Sequence, residues 1–299
     1  MARAACAALA CLFSSAALAS PPLNVQRYSL EEGLSQQSVN SIVQDSEGFM
    51  WFGTEDGLNR FDGYEFQQLR HDRGDNETLP NGWISSLVAS DEGLWIATDG
   101  GGVVFRSALT GKLDAPALLR DTPDLQRVRT LARDRLGRLW IGTRDSGIGI
   151  FDVRSKELHR IRHSPSQPNS LSDNSIFSII HLRSGDTLIG TATGLDRLTA
   201  SNLDVSHIAW PVELVPAGQP LRVRALTETP DGMVWVGTDA GLGRYDARSA
   251  RWRVYRETPA DSPNHLSSLP DNRIQSLLLD SQGRLWVGML RGLAWFDSA

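Results

Sequence analysis

The chain has 299 residues, of which 40% are hydrophobic and 22% are charged, a balance typical of globular proteins and unlike that of disordered ones. Nine Trp and 27 Gly against two Cys favour many short strands and turns packed around aromatic side chains, without a disulfide framework. A formal net charge of −5 argues against a general nucleic-acid-binding protein.

Residues 1–19 have the features of a cleaved secretory signal peptide. Arg3 supplies a positive start, residues 4–17 are uncharged and mostly apolar, and the end of the segment is a small-x-small cleavage site. The apolar run is too short to span about 30 Å of hydrocarbon, so we expect export to the periplasm rather than a membrane anchor. Lipoprotein cleavage before Cys11 is the alternative.

The mature chain, residues 20–299, contains no cysteine, because Cys6 and Cys11 both lie in the leader. A disulfide bond and a thiolate nucleophile are therefore excluded. No later segment approaches the 18 consecutive apolar residues of a membrane span. We expect membrane contact only through segments that this sequence does not contain.

One short sequence motif recurs through the mature chain: a large hydrophobic anchor, a second hydrophobic residue, a small residue and, in most copies, Thr. The six anchors are Trp51, Trp95, Trp140, Leu188, Trp235 and Trp286. The steps between them are 44, 45, 48, 47 and 51 residues, the length of one propeller blade and too long for a leucine-rich, ankyrin or TPR unit. We predict an all-β fold, a β-propeller of about six four-stranded blades, with the anchors filling the space between blades.

The flanks of the anchors predict the strands. The first repeat should contain an inner strand at Val39 to Gln44, strands at Phe49 to Thr54 and Leu58 to Asp62, and an outer strand at Tyr64 to Leu69. Outer strands should recur at 158–162 and 252–255, and the lack of helical periodicity predicts little helix. Positive φ in hairpin turns is expected at two sets of glycines, namely Gly48, Gly137, Gly232 and Gly283 before the anchors and Gly57, Gly147, Gly194, Gly241 and Gly292 after them.

The last repeat supplies only three strands. The strand-like segment from Asn24 to Ser29 precedes the first inner strand, and its pairing with the last repeat would close a six-bladed ring. The alternative is that the chain is part of a seven-bladed or larger propeller.

Residues 32–63, which include Asp45-Ser46-Glu47-Gly48, Trp51-Phe52-Gly53-Thr54 and Asp56-Gly57-Leu58, resemble the two-component regulator propeller repeat. The resemblance extends over nearly all of residues 24–299 and is weakest in the fourth repeat, where Leu188 replaces Trp. It implies a periplasmic ligand-sensing domain, usually followed by a β-sandwich, a membrane helix and a cytoplasmic histidine kinase or diguanylate cyclase. None of these later parts is visible here, and six repeats depart from the seven-bladed rings that the family commonly builds.

A ligand site is expected at the mouth of the central channel, where the inner strands begin. Alignment on the anchors places two columns of residues there, thirteen and eleven residues before each anchor, or twelve and ten in the second repeat. The side chains that we predict to bind a ligand are Trp83, Arg127, Arg129, Phe177, Arg222, Arg224 and Arg273. Convergent guanidinium groups suit a carboxylate, sulfate or phosphate, and Trp83 and Phe177 would offer stacking faces.

The predicted ligand is therefore a small molecule or an oligosaccharide that carries acidic groups. The alternative is that these arginines line a wet channel or pair with Asp121, Asp124 and Glu228.

The sequence shows no metal, cofactor or catalytic motif. His159 and His163 are four residues apart, but on a strand this spacing separates them by about 13 Å, too far to bind one ion. The other histidines, His71, His181, His207 and His265, occur singly and share no motif. The glycine-rich segments 100–102 and 147–149 fit hairpin turns rather than phosphate-binding loops, and no nucleophile elbow is present.

We therefore predict a sensor module without catalytic activity or cofactor, whose output domain or signalling partner lies outside this chain and which does not bind nucleic acid. Two other classes remain open. A propeller-fold lyase would need histidine, carboxylate and metal at the channel mouth, and an interaction scaffold would expose a broad apolar patch.

Overall fold

The computed structural model describes residues 27–75, 77–215, 220–258 and 268–297. The predicted signal peptide lies outside these residues. Within them the chain folds into six consecutive antiparallel sheets, five of four strands and one of three, which are the blades of the predicted propeller. In every blade the strands are paired in chain order, from the inner strand to the outer edge.

The strands of the first three blades are β1 Val39–Gln44, β2 Met50–Thr54, β3 Gly57–Phe61 and β4 Phe66–Leu69; β5 Ile84–Ser90, β6 Gly93–Thr98, β7 Gly102–Ser107 and β8 Leu113–Asp114; β9 Val128–Arg133, β10 Leu139–Thr143, β11 Ile148–Phe151 and β12 Leu158–Ile161. Those of the last three are β13 Ile176–His181, β14 Thr187–Thr191, β15 Leu195–Leu198 and β16 Val205–His207; β17 Val223–Glu228, β18 Met233–Thr238, β19 Gly241–Asp246 and β20 Arg251–Tyr255; β21 Ile274–Leu279, β22 Arg284–Met289 and β23 Leu293–Asp297.

The predicted strands agree with these bounds to within two residues. Helix in the described part of the chain is limited to α1 (Ala117–Arg120) and the 3₁₀ turns Pro123–Leu125 and Val212–Leu214.

Neighbouring blades stack through two different faces. The anchor projects from what we call the trailing face of its blade and packs on the leading face of the next blade. Trp51, for example, is buried in one cluster with Ile84 and Ile96 of the second blade. The same arrangement buries the anchors Trp95, Trp140, Leu188 and Trp235, which confirms for these five the predicted role between blades.

An aspartate six residues before three anchors ties a hairpin turn to the blade. Asp45 accepts hydrogen bonds from the backbone N–H of Phe49 at 2.9 Å and from the indole N–H of Trp51 at 2.7 Å. The indole groups of Trp140 and Trp286 donate in the same way to Asp134 and Asp280, each at 2.9 Å. This aspartate therefore bonds both the turn backbone and the side chain of the anchor.

The Thr and the glycines of the repeat are structural. The Thr after the anchor is buried in the first five blades, and its hydroxyl donates to the carbonyl of the glycine in the following turn, as Thr238 does to Gly241 at 2.7 Å. The four glycines before the anchors have positive φ, as do four of the five after them. The prediction is wrong for Gly194, which is not among the positive-φ glycines and whose N–H donates to the hydroxyl of Thr191.

The first and last blades differ from the others. Inner strands pack side by side from β1 through β21, but no comparable packing joins β21 to β1 among the described residues. Of the predicted closing strand, 24–26 lies outside these residues and 27–29 forms no strand, while Tyr28 packs edge-on against Phe61 and Phe66 of the first blade. We call the uncovered leading face of blade 1 (Val39, Ile42) and the uncovered trailing face of blade 6 (Leu278, Leu293, Trp295) the seam.

Candidate ligand-binding site

Every inner strand carries a β-bulge at the same position. In β9, Val128 lies opposite Thr143 and Thr130 lies opposite Gly142, so Arg129 is the extra residue between them. The six bulged residues are Asn40, Ser85, Arg129, Phe177, Arg224 and Gln275. A bulge bends its strand and redirects the side chain. The column that lies eleven residues before most anchors is therefore a ring of redirected side chains, which the sequence pattern did not reveal.

The bulged side chains reach toward the next inner strand. Asn40 donates through Nδ2 to the carbonyl of Ile84 at 3.0 Å, and the hydroxyl of Ser85 donates to the carbonyl of Val128 at 2.8 Å. These two residues link blades 1, 2 and 3 at the mouth. The larger bulged side chains belong to blades 3 to 6.

Phe177 brings two predicted arginines together. The guanidinium carbon of Arg129 lies 3.8 Å from the centroid of the Phe177 ring, and that of Arg224 lies 5.5 Å from it. Both distances are within the range of a cation–π contact. The structure thus assembles these three residues as predicted, but Arg129 already covers part of the Phe177 ring, so Phe177 supports arginines rather than offering an open stacking face.

The remaining predicted arginines are paired with carboxylates. Arg127, Arg222 and Arg273 lie 2.7, 3.7 and 3.0 Å from Asp145, Asp239 and Asp271, respectively. Arg224 also contacts Asp239, so two arginines share one carboxylate. Arg144, which the sequence analysis did not single out, pairs with Asp99 at 2.8 Å.

The acids proposed as partners from the sequence are not the ones used. Asp121 pairs with Arg120, Asp124 pairs with Arg162, and the carboxylate of Glu228 accepts the backbone N–H of Arg183. Asp121 and Asp124 lie in the loop between blades 2 and 3, and Glu228 ends β17, whereas the mouth arginines lie where the inner strands begin. The mouth arginines therefore pair with Asp145, Asp239 and Asp271 instead.

Arg129 is the mouth arginine without a carboxylate partner among the described residues. Its Nη1 atom is buried and makes no hydrogen bond there. Burial, reinforced by the positive charges of Arg144 and Arg224, lowers the pKa of Arg129 to about 10, although Asp99 opposes the shift. The guanidinium remains charged at neutral pH, so this position holds a positive charge that lacks a counter-ion.

Trp83 occupies the mouth position of the second blade. Its carbonyl accepts the N–H of Asp99 at 3.0 Å, and 40% of the residue is exposed. It is therefore partly accessible to solvent, and its backbone is bonded to the residue whose carboxylate pairs with Arg144.

A surface cavity elsewhere was not predicted. A volume of about 420 Å³ lies between the outer parts of blades 1 and 2 and is lined by residues that include Arg70, Glu77, Leu79 and Lys112. The loop between blades 1 and 2 and the turn between β7 and β8 form it, and alignment of the repeats did not reveal it. Its charges are mixed, in contrast to the arginine-rich mouth.

The described residues contain no group of three or more His, Cys, Asp or Glu side chains arranged to hold a metal ion. They also contain no helix that is long and apolar enough to cross a membrane.

Comparison with known proteins yields one family and several relatives. The family model described as two component regulator propeller matches residues 33–56, 123–145 and 268–291. The curated protein named Histidine kinase P4, from Formosa agariphila, is 48% identical over 48 residues, which are 16% of this chain and 4% of that protein.

Solved structures extend the likeness to nearly the whole chain. The extracellular domain of BT3049 from B. thetaiotaomicron, described as a hybrid two component system, aligns with 92% of this chain and 42% of its own, with 21% identity and a TM-score of 0.67. The corresponding domain of BT4673 aligns with 86% of this chain and 38% of its own, with 25% identity and a TM-score of 0.65. Virginiamycin B lyase from Staphylococcus aureus shares the fold at 13% identity and a TM-score of 0.60, over 87% of this chain and 84% of its own.

This chain spans less than half the length of the histidine kinase and of both extracellular domains. The matched segments contain the first two strands of blades 1, 3 and 6, which are equivalent positions in the propeller. Three segments of the chain therefore match the two component regulator propeller model, at equivalent places in blades 1, 3 and 6.

Proposed function

We propose that this chain is a periplasmic ligand-sensing module of a signal-transduction system, and that its ligand is a small molecule or oligosaccharide bearing an acidic group. The observation that carries the proposal is the unpaired guanidinium of Arg129 at the channel mouth, held against Phe177. The names of the relatives, a histidine kinase and extracellular domains of two component systems, support a sensory role.

An anionic group would supply the partner that Arg129 lacks. Its pKa is lowered mainly because burial removes water from the charged form. A carboxylate, sulfate or phosphate would accept charge-assisted hydrogen bonds from the guanidinium and offset that cost. The ion pairs of Arg144 with Asp99 and of Arg224 with Asp239 hold the neighbouring cations in place around this position.

Signal output is proposed to lie in a kinase or diguanylate cyclase domain, or in a partner protein, outside this chain. Ligand binding at the mouth would order the inner strands of blades 3 to 5, to which Arg129, Phe177 and Arg224 belong.

The test is a ligand screen of residues 20–299 by thermal shift, followed by calorimetry. The panel contains acidic and neutral oligosaccharides, organic acids, inorganic phosphate and sulfate, with divalent metal ions as a separate arm. We expect stabilisation by an acidic ligand. Arg129→Met should then weaken binding by at least about tenfold, the loss expected for a charge-assisted hydrogen bond of about 1.5–3 kcal/mol.

Arg251→Met is the matched control, because Arg251 is exposed on the outer strand of blade 5. Its affinity for the same ligand should equal that of the wild type. Binding of a neutral ligand that Arg129→Met leaves unchanged would contradict the proposed site, and stabilisation by metal ions alone would favour a metal-dependent activity instead.

A further inference from the structure

One position of blade 2 departs from the other five blades. Arg106 on β7 pairs with Leu94, the residue before the anchor Trp95. Its side chain lies on the leading face, with the guanidinium carbon 4.8 Å from the centroid of the Trp51 ring of blade 1. The other blades have an aliphatic or aromatic residue at the equivalent position, namely Phe61, Phe151, Leu198, Tyr245 and Phe296.

In two of those blades the aromatic ring packs on the anchor of the preceding blade. The ring centroids of Phe151 and Trp95 are 6.4 Å apart, and those of Phe296 and Trp235 are 5.7 Å apart. Arg106 therefore places a guanidinium group in a contact that these blades make with a phenyl ring. A buried charge lowers stability unless a partner of opposite charge is present.

Arg106 has no carboxylate partner among the described residues. Its Nε atom is buried there without a hydrogen bond. Burial, reinforced by the positive charge of Arg60, lowers the pKa of Arg106, and the charges of Asp45 and Glu47 oppose the shift. Like Arg129 at the mouth, Arg106 is a partly buried cation that lacks a counter-ion.

Arg60 is a second cation in the same cleft. Its guanidinium carbon lies 3.6 Å from the centroid of the Phe49 ring, and its Nη1 atom donates to Oε1 of Gln67 at 3.2 Å. The arginines at the equivalent position of blades 4 and 5 each pair with a carboxylate from the turn between the first two strands, whereas Arg60 has no such ion pair within the described part of the chain. The two ion pairs are Arg197–Asp186 and Arg244–Asp231.

Both guanidinium groups line one cavity of about 110 Å³ between blades 1 and 2. The cavity lies at the end of the propeller opposite the mouth, because β1 starts at the mouth and leads into the turn at 45–49, which forms one wall. Asp45 in this wall already accepts hydrogen bonds from Phe49 and Trp51, and Glu47 is exposed. The volume is sufficient for a few water molecules or one small ion.

We propose that this cleft is a second anion-binding site, in which Arg60 and Arg106 together bind one sulfate or phosphate dianion. The oxygens of a tetrahedral dianion can accept charge-assisted hydrogen bonds from guanidinium groups on two different strands, and its two charges match theirs. A carboxylate carries a single charge and should bind more weakly. The dianion is either the free ion or the phosphomonoester end of a larger molecule whose remainder projects into solvent.

Isothermal titration calorimetry tests the site in a chain that carries Arg129→Met, so that the proposed mouth site does not contribute. Sodium sulfate, sodium phosphate and sodium acetate are titrated separately, with NaCl keeping the ionic strength constant. We expect saturable binding of one sulfate or phosphate ion per chain and weaker binding of acetate. Glucose 6-phosphate distinguishes the two sources, because an affinity equal to that of phosphate indicates an ester ligand and a lack of binding indicates the free ion.

Substitutions in the cleft should change the affinity for sulfate in opposite directions. Arg106→Met should weaken binding at least about tenfold, and Arg60→Met should also weaken it, because each removes a charge-assisted hydrogen bond. Glu47→Gln should strengthen binding about two- to fivefold, because it removes an exposed like charge. Arg244→Met is the matched control and should leave the affinity unchanged, since Arg244 occupies the position of Arg60 in blade 5.

Stability without an added anion separates a binding role from a structural one. Arg106→Leu gives blade 2 the residue that blade 4 has at Leu198. It should raise the urea midpoint in a buffer free of sulfate and phosphate, and it should abolish the stabilisation by sulfate at concentrations too low for a general salt effect. A lower midpoint would mean that Arg106 serves the contact with Trp51 and would overturn the proposal. Equal sulfate affinities of Arg106→Met and its parent, or binding seen only when Arg129 is present, would also overturn it.

Discussion

Asp134 illustrates how a single side chain joins a turn to the blade it precedes. Its carboxylate accepts hydrogen bonds from the indole N–H of Trp140 at 2.9 Å, from Nε of Arg138 at 2.6 Å and from the backbone N–H of Leu136 at 3.0 Å. Burial by itself would raise the pKa of Asp134, but the hydrogen bonds from Trp140 and Arg138 outweigh burial and hold the pKa below its usual value. The ionised form is therefore part of the folded structure.

Asp134→Asn should lower the free energy of unfolding by about 1–3 kcal/mol, because the amide removes the charge and brings its own donors toward donors already present. Urea unfolding at pH 7 measures the change. Asp121→Asn is the control, since Asp121 forms an exposed ion pair with Arg120 that should contribute little. Equal midpoints for the two variants would contradict the proposed role of Asp134.

His181 is a half-buried titratable group in the same region. Its ring packs edge-on against Trp140 with centroids 5.1 Å apart, Nδ1 lies 2.9 Å from the hydroxyl of Thr187, and Nε2 is buried without a hydrogen bond among the described residues. Burial lowers the pKa of His181 below its usual value; Arg138 acts in the same direction and Asp134 opposes it.

The sign of the pH dependence follows from this pKa. As pH falls below about 6.5, the unfolded chain takes up a proton at His181 more readily than the folded chain, so stability is lost between that pH and the lower folded pKa. We expect the wild type to lose more unfolding free energy between pH 7.5 and 5.5 than His181→Phe, which keeps the ring and removes the titration. Parallel pH profiles for the two proteins would contradict this expectation.

At the scale of elements, two inter-blade loops share a contact that their sequences did not reveal. Nδ1 of His71 donates to the carbonyl of Leu79 at 2.5 Å, and Nδ1 of His163 donates to the carbonyl of Leu171 at 2.6 Å. Both leucines are buried. The sequence analysis did not connect His71 with His163, although each is followed eight residues later by the leucine whose carbonyl it contacts.

Gly237 and Gly288, each two residues after an anchor, allow a prediction about the contact between neighbouring blades. Gly237→Ala should destabilise the chain by about 1–3 kcal/mol, because its Cβ would overlap Ile274 of the next blade. Gly288→Ala should cost less, because the nearest atom belongs to the side chain of Ser276, which can rotate. Thermal and urea unfolding of both variants measure the difference.

A double-mutant comparison serves as the control. Ile274→Ala removes the Cγ2 atom that the new Cβ would overlap, so Gly237→Ala should cost less in the Ile274→Ala background than in the wild type. An equal cost in the two backgrounds would mean that the loss does not arise at this contact.

At the scale of the whole molecule, the sequence predicted the blades because the repeated motif recurs at the length of one blade. The anchors, the strand order and most of the turn glycines follow from one sequence motif that recurs every 44 to 51 residues. Alignment of the repeats also brought Arg129, Phe177 and Arg224 to one place, since equivalent positions in a propeller lie in a ring.

Features that depend on contacts between unlike segments were not predictable in this way. The carboxylates that pair with the mouth arginines and the exposed faces of the first and last blades belong to this class. A periodic pattern specifies what the repeats share. It does not specify which neighbour each blade meets or whether the last blade meets one.

The bulge ring separates variable side chains from strand pairing within one repeat. On either side of the bulge the inner strand pairs with its neighbour through residues of similar type in all six blades, but the bulged residue itself faces no partner strand and is Asn, Ser, Arg, Phe, Arg and Gln in turn. Asn40 and Ser85 also link neighbouring blades, whereas the other four bulged residues, Arg129, Phe177, Arg224 and Gln275, make no hydrogen bond to the next inner strand among the described residues. A combinatorial library confined to these four positions would keep the strand pairing and would test whether they set the proposed ligand preference.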